Sequence, residues 1–537
     1  MLPDTTQKTV AEVFVPADQR LRQLNANELV FAVVGPIGSG TSQIASALKG
    51  LLSDPTYEMD AHIIKARDAI QKWCDARGQN IVMPDNDLAN VTALQDAGDQ
   101  MRKMDPAAVA VELISEIKAK RDELSVVVEN VATLNVIPSR KIRVYILDSL
   151  KNPAEVEVLR SVYKDAFCLI GVVCEQRVRE KRLQDDKYQN SSKNQIKKLM
   201  DRDADADITY GQKVVDTFHL ADYFVDNSPS RYVDEEKHES NPDWAIPDQL
   251  GRLVDLITYA RIIRPDPSET GMFYAYGAKM RSACLSRQVG AALLDGSGNV
   301  ISTGANEVPK AGGGVYGGGF HDDDPEEGDN DHRCAKVNGY CSSNRAQDDI
   351  VKKIIEQIPA LHAVIDQEAL IKQLKKTPIG RLLEFSRAVH AEMDALLSAA
   401  REGKSTIGSR LFVTTFPCHY CARHIVSAGV DEVQYIEPYP KSKAISLHGD
   451  AITQSTKIWI SPSKKERIKG REAKVLFRPF TGVAPRLYKQ VFFKDRPLKD
   501  SSGNMKIGEA YSASGLFKLS YQDIEKSVLA ARGGGDV

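Results

Sequence analysis

Two short motifs in the C-terminal half of the chain place one imidazole and two thiols where they can share a metal ion. His390 and Glu392 belong to the first, His-Ala-Glu, and Cys418 and Cys421 to the second, Pro-Cys-His-Tyr-Cys at 417–421. One nitrogen and two sulfur ligands suit tetrahedral zinc, and three protein ligands leave a fourth position open, as in catalytic zinc sites. The sequence therefore predicts a zinc ion bound by His390, Cys418 and Cys421. Glu392 would lie beside the open position as the catalytic acid–base group.

The residues around both motifs predict elements that bring the ligands together. Residues 391–400 and 420–428 have the pattern of helices, and 411–415 that of a strand leading into the second motif. Both ligand groups would then lie at helix N-termini, where the helix dipole favours thiolate over thiol. A Cys-x-x-Cys pair alone is also typical of a redox pair or of half a structural zinc site. Its combination with the His-x-Glu motif favours the catalytic interpretation.

The composition favours a small-molecule substrate. The 537 residues include 71 Lys and Arg against 73 Asp and Glu, a net charge of −2, and no basic arm or stripe dominates. The electrostatic footprint of a duplex nucleic-acid binder is therefore missing. Eight cysteines are scattered through a chain with no signal peptide and no run of 18 apolar residues. These features predict a cytoplasmic protein with no membrane partner.

A glycine-rich turn near the N-terminus predicts a phosphate-binding loop. Residues 29–34 have the pattern of a buried strand and residues 43–52 that of a helix. The turn between them supplies the predicted phosphate-binding residues Gly35, Gly38, Gly40, Thr41 and Ser42. Thr41 stands where the G-x-x-x-x-G-K-[ST] pattern has a lysine. Without that cation, stabilisation of a transferred phosphate is weakened, so we predict binding of a regulatory nucleotide, ATP or a dNTP, rather than phosphate transfer. A purely structural turn is the alternative.

Further apolar runs predict an α/β nucleotide-binding domain around this loop. Residues 143–147, 167–174 and 221–227 have the pattern of strands, and their alternation with helices predicts a mostly parallel sheet with helices on both faces. Asp148 follows the first of these strands, at a position where such folds place a magnesium-associated carboxylate. The basic run at 177–182 fits either a lid over bound phosphates or a solvated helix face.

In the C-terminal half, residues 289–294 and 300–303 predict a β-hairpin that leads into Asn306. An insertion rich in Gly and Asp follows at 311–344. Its composition predicts a mobile lid rather than a packed core. A second metal site is an open alternative there, since the insertion contains His321, His332, Cys334 and Cys341.

Four segments of this half resemble the cytidine and deoxycytidylate deaminase superfamily in order and spacing. They are Cys-Leu-Ser-Arg-Gln-Val-Gly-Ala at 284–291, Gly-x-Asn at 304–306 and the two metal motifs. The resemblance implies an α/β/α fold and hydrolytic deamination, with Glu392 moving protons from water to the base and the leaving amine. It also implies that Asn306 contacts the sugar, that Arg287 faces a phosphate and that Ala391 lies in the substrate site. A turn-forming role is the alternative for Asn306.

With the phosphate loop added, most of residues 25–490 resemble the bacterial anti-phage dCTP deaminases. The resemblance implies zinc-dependent conversion of dCTP, and also of dCMP, to the deoxyuridine nucleotide and ammonia, which depletes deoxycytidine nucleotides during infection. It further implies a homo-oligomer and, in some members, inhibition by a cognate small RNA. The alternatives are a housekeeping dCMP deaminase, a bifunctional nucleotide kinase and deaminase, and a polynucleotide deaminase, which the charge balance disfavours.

The sequence thus predicts an α/β chain in five parts. They are an N-terminal extension (1–24), a P-loop nucleotide kinase-like domain with a parallel sheet (25–228), a linker (229–248), an α/β/α deoxycytidylate deaminase-like domain containing the insertion (249–495) and a C-terminal tail (496–537).

Overall fold

A computed structural model describes the fold as two compact units. The first unit contains the described residues up to Ile263 and those from Lys494 onward, and the second contains Arg264–Phe493. The predicted N-terminal extension and most of the predicted tail lie outside the described residues. These are 28–78, 88–124, 142–206, 210–234, 237, 239–317, 331–337, 339–364, 366–377, 379, 385–439, 442–464, 468–494, 498–505 and 525.

The first unit is built on parallel strands whose apolar runs are buried. β1 (Glu28–Val34) lies between β3 (Arg143–Asp148) and β4 (Phe167–Val173). β2 (Asp60–Lys65) pairs with β3, and β5 (Tyr223–Asp226) pairs with β4, so the strands follow the order β5-β4-β1-β3-β2. Continuous apolar runs are expected where a parallel strand is covered on both faces. The parallel α/β architecture predicted for this part of the chain is therefore confirmed.

Helices connect these strands, since parallel neighbours require a crossover connection. The helices of the first unit are α1 (Thr41–Leu52), α2 (Ala66–Asp75), α3 (Leu88–Met104), α4 (Ala108–Leu124), α5 (Pro153–Tyr163), α6 (Gln176–Lys181), α7 (Lys193–Ala204), α8 (Val214–Phe218) and α9 (Ile246–Ile257). Shorter elements are a 3-10 turn (Lys164–Ala166), a π-helical turn (Arg182–Lys187) and an antiparallel pair, β6 (Tyr232–Asp234) and β7 (Glu239–Ser240).

Helix α9 belongs to the first unit, whereas the sequence analysis placed residues from 249 onward in the second domain. The Tyr223 hydroxyl of β5 donates to the Gln249 carbonyl oxygen (2.9 Å), and the Tyr57 hydroxyl donates to the Asp255 carboxylate (2.9 Å). These contacts place the boundary after Ile263. The apolar stripe of α9 predicts that one face of the helix is buried, but it does not identify the sheet that covers that face.

Among the described residues, the second unit has a six-stranded mixed sheet. β8 (Gly290–Leu294) and β9 (Val300–Ala305) form the predicted antiparallel hairpin. The other strands are β10 (Arg410–Thr415), β11 (Glu432–Glu437), β12 (Ile452–Thr453) and β13 (Val475–Pro479), in the spatial order β12-β13-β11-β10-β8-β9. β10 is antiparallel to β8, while β10 to β13 pair with one another in parallel.

The helices of the second unit include two that begin at the predicted metal motifs. The elements are α10 (Pro267–Lys279), α11 (Cys334–Val337), α12 (Ser342–Gln357), α13 (Pro359–His362), α14 (Gln367–Lys376), α15 (Ala391–Arg401), α16 (His419–Ser427), α17 (Ala444–Leu447) and α18 (Pro485–Phe492), with a two-residue strand, β14 (Gly482–Val483). No helix in the described part of the chain is long and apolar enough to span a bilayer.

Two glycines on the hairpin let helices pack closely on opposite faces of this sheet. Gly290 is paired in register with Ala305, so both point to one face, and the adjacent Gly304 points to the other. A Cβ on Gly290 would lie 2.0 Å from the Ala275 oxygen of α10, and one on Gly304 would lie 2.2 Å from the Ala391 oxygen of α15. Helices α10 and α15 therefore cover opposite faces, in an α/β/α arrangement.

Candidate active site

The predicted metal ligands lie at the starts of two helices. His390 is the N-cap residue of α15, and Cys418 is the N-cap residue of α16. The Cys421 amide points at the Cys418 sulfur (N–S 3.4 Å), as expected when a side chain caps an N-terminus. Strand β10 ends just before Cys418, so the sheet delivers this thiol to the end of α15. The local elements predicted around the motifs are thus confirmed.

The three ligand atoms lie as close together as a shared zinc ion requires. The Nδ1 atom of His390 is 3.4 Å from the sulfur of Cys418 and 3.4 Å from the sulfur of Cys421. Zn–N and Zn–S bonds of ordinary length at a tetrahedral angle would separate such atoms by about 3.6 Å. Cys418 and Cys421 are buried, and in the described part of the chain these three residues form the one group of ligand atoms within 4.8 Å of one another.

Charge is shared within this group. The side-chain hydrogen bond from Cys421, and then that from His390, lowers the pKa of Cys418 to about 4. The hydrogen bond to Cys418 raises the pKa of His390 to about 9 despite burial. The pKa of Cys421 is raised, because its thiol donates a hydrogen bond to Cys418 and because this thiol is buried. A divalent cation at this point would displace these shared protons, as metal binding to thiol and imidazole ligands does.

Glu392 lies in the first turn of α15, beside the ligand group. Its side chain is buried, with 4% of its surface exposed, and burial raises its pKa to about 7 against the opposing effect of the nearby His390. A carboxyl group that titrates near neutrality can both accept and return a proton at physiological pH. The position therefore suits a general acid–base group.

A cavity of about 410 Å³ opens onto this group. Its walls include six predicted residues: Arg287, Asn306, His390, Ala391, Glu392 and Cys418. Sequence reasoning missed other residues in these walls, among them Ser386, Arg387 and Thr415. For Arg387 a signal was available, because it precedes His390 by three positions in a segment that must enter the site. The volume fits a small molecule.

Asn306 braces one wall of the cavity. Its amide nitrogen donates to the Arg287 carbonyl oxygen (2.6 Å), and its amide oxygen accepts from the Val289 amide (2.6 Å). The Ser282 hydroxyl donates to the Asn306 carbonyl oxygen (2.7 Å). Asn306 thus fixes the backbone that carries Arg287, in addition to lining the cavity.

The Arg287 guanidinium lies beside the buried carboxylate of Glu437. One of its guanidinium nitrogens lies 3.5 Å from Glu437, which also accepts hydrogen bonds from Lys279 (3.0 Å) and from the Thr415 hydroxyl (2.9 Å). About half of the Arg287 side chain stays exposed. One carboxylate shared between two cations leaves positive charge at the cavity.

The five predicted phosphate-binding residues lie in the first unit, from the turn after β1 to the first two residues of α1. Gly38 and Gly40 have φ of +82° and +86°, which glycine adopts without strain. The Ser42 hydroxyl donates to the Asp148 carboxylate at the end of β3 (2.6 Å). Gly35 opens the turn, and Thr41 is the first residue of α1.

The turn is also bonded to side chains from other elements. Asp203 of α7 accepts a hydrogen bond from the Ile37 amide (2.7 Å) and forms an ion pair with Lys151 (2.8 Å). From the basic run, Arg179 donates to the Ile37 carbonyl oxygen (3.4 Å). Arg182 instead donates to the Asn227 carbonyl oxygen (2.9 Å). Arg179 and Arg182 therefore differ in role, one contacting the turn and the other fixing the chain after β5.

The insertion contributes to the cavity, and its described residues assemble no second group of metal ligands. Cys334 and Cys341 line the cavity wall, with α11 and the start of α12 built from residues predicted to form a lid. Within the described residues, neither these thiols nor His332 joins a cluster of three metal ligands. His321 lies outside the described residues.

Comparisons of this chain with a family profile and with individual sequences agree on one protein family. A profile of the cytidine and deoxycytidylate deaminase zinc-binding region matches residues 266–437. The deoxycytidylate deaminase of Enterobacteria phage T2 is 30% identical over 178 residues, covering 33% of this chain and 82% of its own length. That of Enterobacteria phage T4 is 30% identical over 181 residues, covering 33% and 80%.

Among solved structures, the dCMP deaminase of cyanophage S-TIM5 in complex with dCMP and dUMP aligns at 22% identity and a TM-score of 0.21. The alignment covers 35% of this chain and 93% of that chain. The matched phage sequences cover four fifths of their own length, and the profile spans both metal motifs. The chain therefore belongs to the cytidine and deoxycytidylate deaminase family of zinc-binding proteins.

Proposed function

We propose that this protein removes the amino group of a deoxycytidine nucleotide by hydrolysis. Its principal substrate is dCTP, and the products are the deoxyuridine nucleotide and ammonia. The observation that carries the proposal is the buried Glu392 beside three clustered metal ligands, at the end of a small-molecule cavity. His390, Cys418 and Cys421 would hold a zinc ion, which supplies the acidity that makes water nucleophilic near neutral pH.

Glu392 performs the proton transfers in the proposed reaction. It accepts a proton from the attacking water and delivers it to N3 of the pyrimidine as the new C–O bond forms at C4. It then carries the second proton of that water to the exocyclic nitrogen, so that the C–N bond breaks and ammonia leaves. Burial, which raises the pKa of Glu392 to about 7, suits a group that accepts a proton and then returns it.

The other cavity residues hold the substrate. We propose that Ala391 lies against the base and that Asn306 contacts the sugar while it braces the Arg287 backbone. Arg287, with its charge partly offset by Glu437, would bind a phosphate group. Arginine suits this role because its guanidinium donates two parallel hydrogen bonds.

A dCMP deaminase is the second candidate, favoured by a specific observation. The phage T2 and T4 relatives are both named deoxycytidylate deaminases. The same Glu392 and metal ligands would serve either substrate.

One assay tests the proposal and separates the two substrates. Purified, zinc-loaded protein is incubated with dCTP, dCMP and deoxycytidine, and ammonia and nucleotide products are quantified. We expect dUTP to form with the highest kcat/KM. Faster formation of dUMP would select the second candidate, and no ammonia from any deoxycytidine compound would refute the deaminase proposal.

For the first unit we propose regulation by a bound nucleotide, ATP or a dNTP, on the turn that runs from Gly35 to Ser42. The positive φ values of Gly38 and Gly40 and the Ser42–Asp148 hydrogen bond support this. Thr41 argues against the bifunctional kinase alternative, since it offers no cation to a transferred phosphate. Nucleotide binding that is lost in Ser42→Ala, without phosphate transfer from ATP, is the expected result.

We further propose, from the resemblance of most of residues 25–490 to anti-phage dCTP deaminases, that the protein acts as a cytoplasmic homo-oligomer in phage defence, with a cognate small RNA as an inhibitor. A plaque assay that compares cells expressing wild-type protein with cells expressing Glu392→Ala tests this role. Equal plaque counts across a phage panel would count against it.

A further inference from the structure

The cavity has an arginine for which the reaction described above gives no role. Arg387 lies in the segment that enters α15, it lines the cavity, and it is exposed. Within the described residues, no hydrogen bond or ion pair engages its guanidinium. An arginine that faces a cavity without a carboxylate partner is available to an anionic group of a ligand.

Arg387 and Arg287 lie on neighbouring segments of the cavity wall. Val389 forms an isolated antiparallel bridge with Glu307, and its amide donates to the Glu307 carbonyl oxygen (3.0 Å). The adjacent Asn306 bonds in turn to the Arg287 carbonyl oxygen (2.6 Å). The segment of Asn306 and Glu307 thus lies between the segments that carry the two arginines, and these backbone bonds hold all three together.

The charge of the wall selects for a polyanion. Its one carboxylate among the described lining residues is Glu392, which lies at the metal ligands, whereas two guanidinium groups line the cavity. Hydroxyl groups accompany them, with Ser286 next to Arg287 and Ser386 next to Arg387. Arg287 already faces Glu437, whereas no carboxylate of the described residues pairs with Arg387, so its charge is available to further phosphates.

Resting on the proposed deaminase function, we propose that Arg387 is the specificity-determining residue for the phosphate chain. It binds phosphates beyond the one held by Arg287, so the enzyme selects nucleotide over nucleoside and triphosphate over monophosphate. Base and sugar recognition do not involve it, so its removal affects ligands in proportion to their phosphate number.

Binding measurements on the catalytically inactive protein test this directly. Deoxycytidine, dCMP and dCTP are titrated by calorimetry into full-length, zinc-loaded Glu392→Ala and into the double variant with Arg387→Ala. We expect the dCTP dissociation constant to rise by about 10- to 100-fold, the value of one charge-assisted hydrogen-bonded contact. The dCMP constant changes less, and the deoxycytidine constant changes least. Arg387→Lys, which keeps the charge but not the planar fork, gives an intermediate dCTP loss.

The controls separate this inference from the proposed function. Arg471→Ala removes an exposed arginine of the same unit that does not line the cavity, and it leaves all three constants unchanged. Zinc content and melting temperature confirm that the Arg387 variants are folded. Equal losses for all three ligands, or an unchanged dCTP constant, would overturn the role of Arg387. Weakened binding of a single-stranded oligodeoxycytidine with an unchanged dCTP constant would also overturn it. If none of the three ligands binds Glu392→Ala, the deaminase proposal itself fails.

Discussion

At the residue scale, the proposed reaction assigns the proton transfers to Glu392, which is not one of the three clustered metal ligands. The Glu392→Ala variant should therefore retain zinc and lose deamination by a factor of about 10² to 10⁴, the usual contribution of a positioned acid–base group. Ammonia release and elemental analysis of the same preparation measure the two properties. Glu402→Ala, an exposed residue just beyond α15, is the matched control and should keep both. Turnover that survives in Glu392→Ala would exclude its role in proton transfer.

Cys418 should behave differently, because it is both a proposed ligand and the N-cap of α16. Cys418→Ala removes a thiol whose pKa is lowered to about 4 by its hydrogen-bonded neighbours, so we expect zinc to be lost together with activity. Loss of the cap should also lower stability by about 0.5–2 kcal/mol. Cys174→Ala in the first unit should keep one zinc per chain. A fully zinc-loaded Cys418→Ala protein would contradict the assignment.

How far single residues can be predicted from the sequence depends on whether they act alone or through neighbours. The two metal motifs are local patterns, and their eight residues predict His390, Cys418 and Cys421 as ligands without any tertiary information. Asn306 was expected to contact a sugar, but its hydrogen bonds to the backbone at 287–289 join segments 17 and 19 positions apart. Arg387 belongs to no motif. Its position three residues before His390 indicates that it lies near the site, but only the folded chain shows that it lines the cavity.

At the element scale, the close contact between β9 and α15 positions the first metal motif. A Cβ on Gly304 would lie 2.2 Å from the Ala391 oxygen and 2.4 Å from the Ala395 amide, both of them rigid backbone atoms. Gly304→Ala should therefore displace α15 at a cost of about 1–3 kcal/mol, the usual range for overpacking. Because His390 and Glu392 lie at the start of that helix, zinc affinity should fall as well.

Gly296→Ala is the matched control for this prediction. Gly296 lies in the turn of the same hairpin, with no atom within 4 Å of the added methyl group. Thermal unfolding and zinc titration should distinguish the two variants. A Gly304→Ala protein that melts and binds zinc like Gly296→Ala would mean that α15 can move without disturbing the site.

The elements themselves were largely predictable, because β1, β3, β4 and the β8–β9 hairpin have the apolar patterns of their class. The close contact at Gly304 could not be predicted. A glycine in a strand pattern indicates that another backbone segment lies nearby, but it does not identify that segment. The apolar stripe of α9 has the same ambiguity, since it predicts a buried helix face that could belong to either unit.

At the scale of the whole molecule, the second unit is inserted into the chain of the first. The described residues after Phe493 belong to the first unit, where Glu525 is buried. The polar, glycine-rich end of the sequence predicted a separate tail. The burial of Glu525 could not be predicted, because a single buried carboxylate leaves no periodic pattern in the sequence. The role of Glu525 is evident only from its partners: Arg121 of α4, Tyr163 of α5 and, through Arg121, Glu28 of β1.

Glu525 should therefore stabilise the first unit from the far end of the chain. It accepts hydrogen bonds from Arg121 (2.7 Å) and from the Tyr163 hydroxyl (2.6 Å), and Arg121 keeps Glu28 as a second partner. Glu525→Ala removes the carboxylate that accepts from the Tyr163 hydroxyl and breaks one half of the ion-pair network around Arg121. We expect a loss of about 1–3 kcal/mol, below the cost of a fully unpaired buried charge because Glu28 remains.

Scanning calorimetry of the full chain measures that loss, and zinc content reports on the second unit separately. Glu356→Ala, an exposed glutamate on α12, should melt like the wild type. Because Glu525 has no contact with the metal ligands, Glu525→Ala should lower the melting temperature of the first unit while zinc stays bound at wild-type levels. An unchanged melting curve would mean that the chain end contributes nothing to the first unit, and parallel loss of zinc would mean that the two units unfold as one.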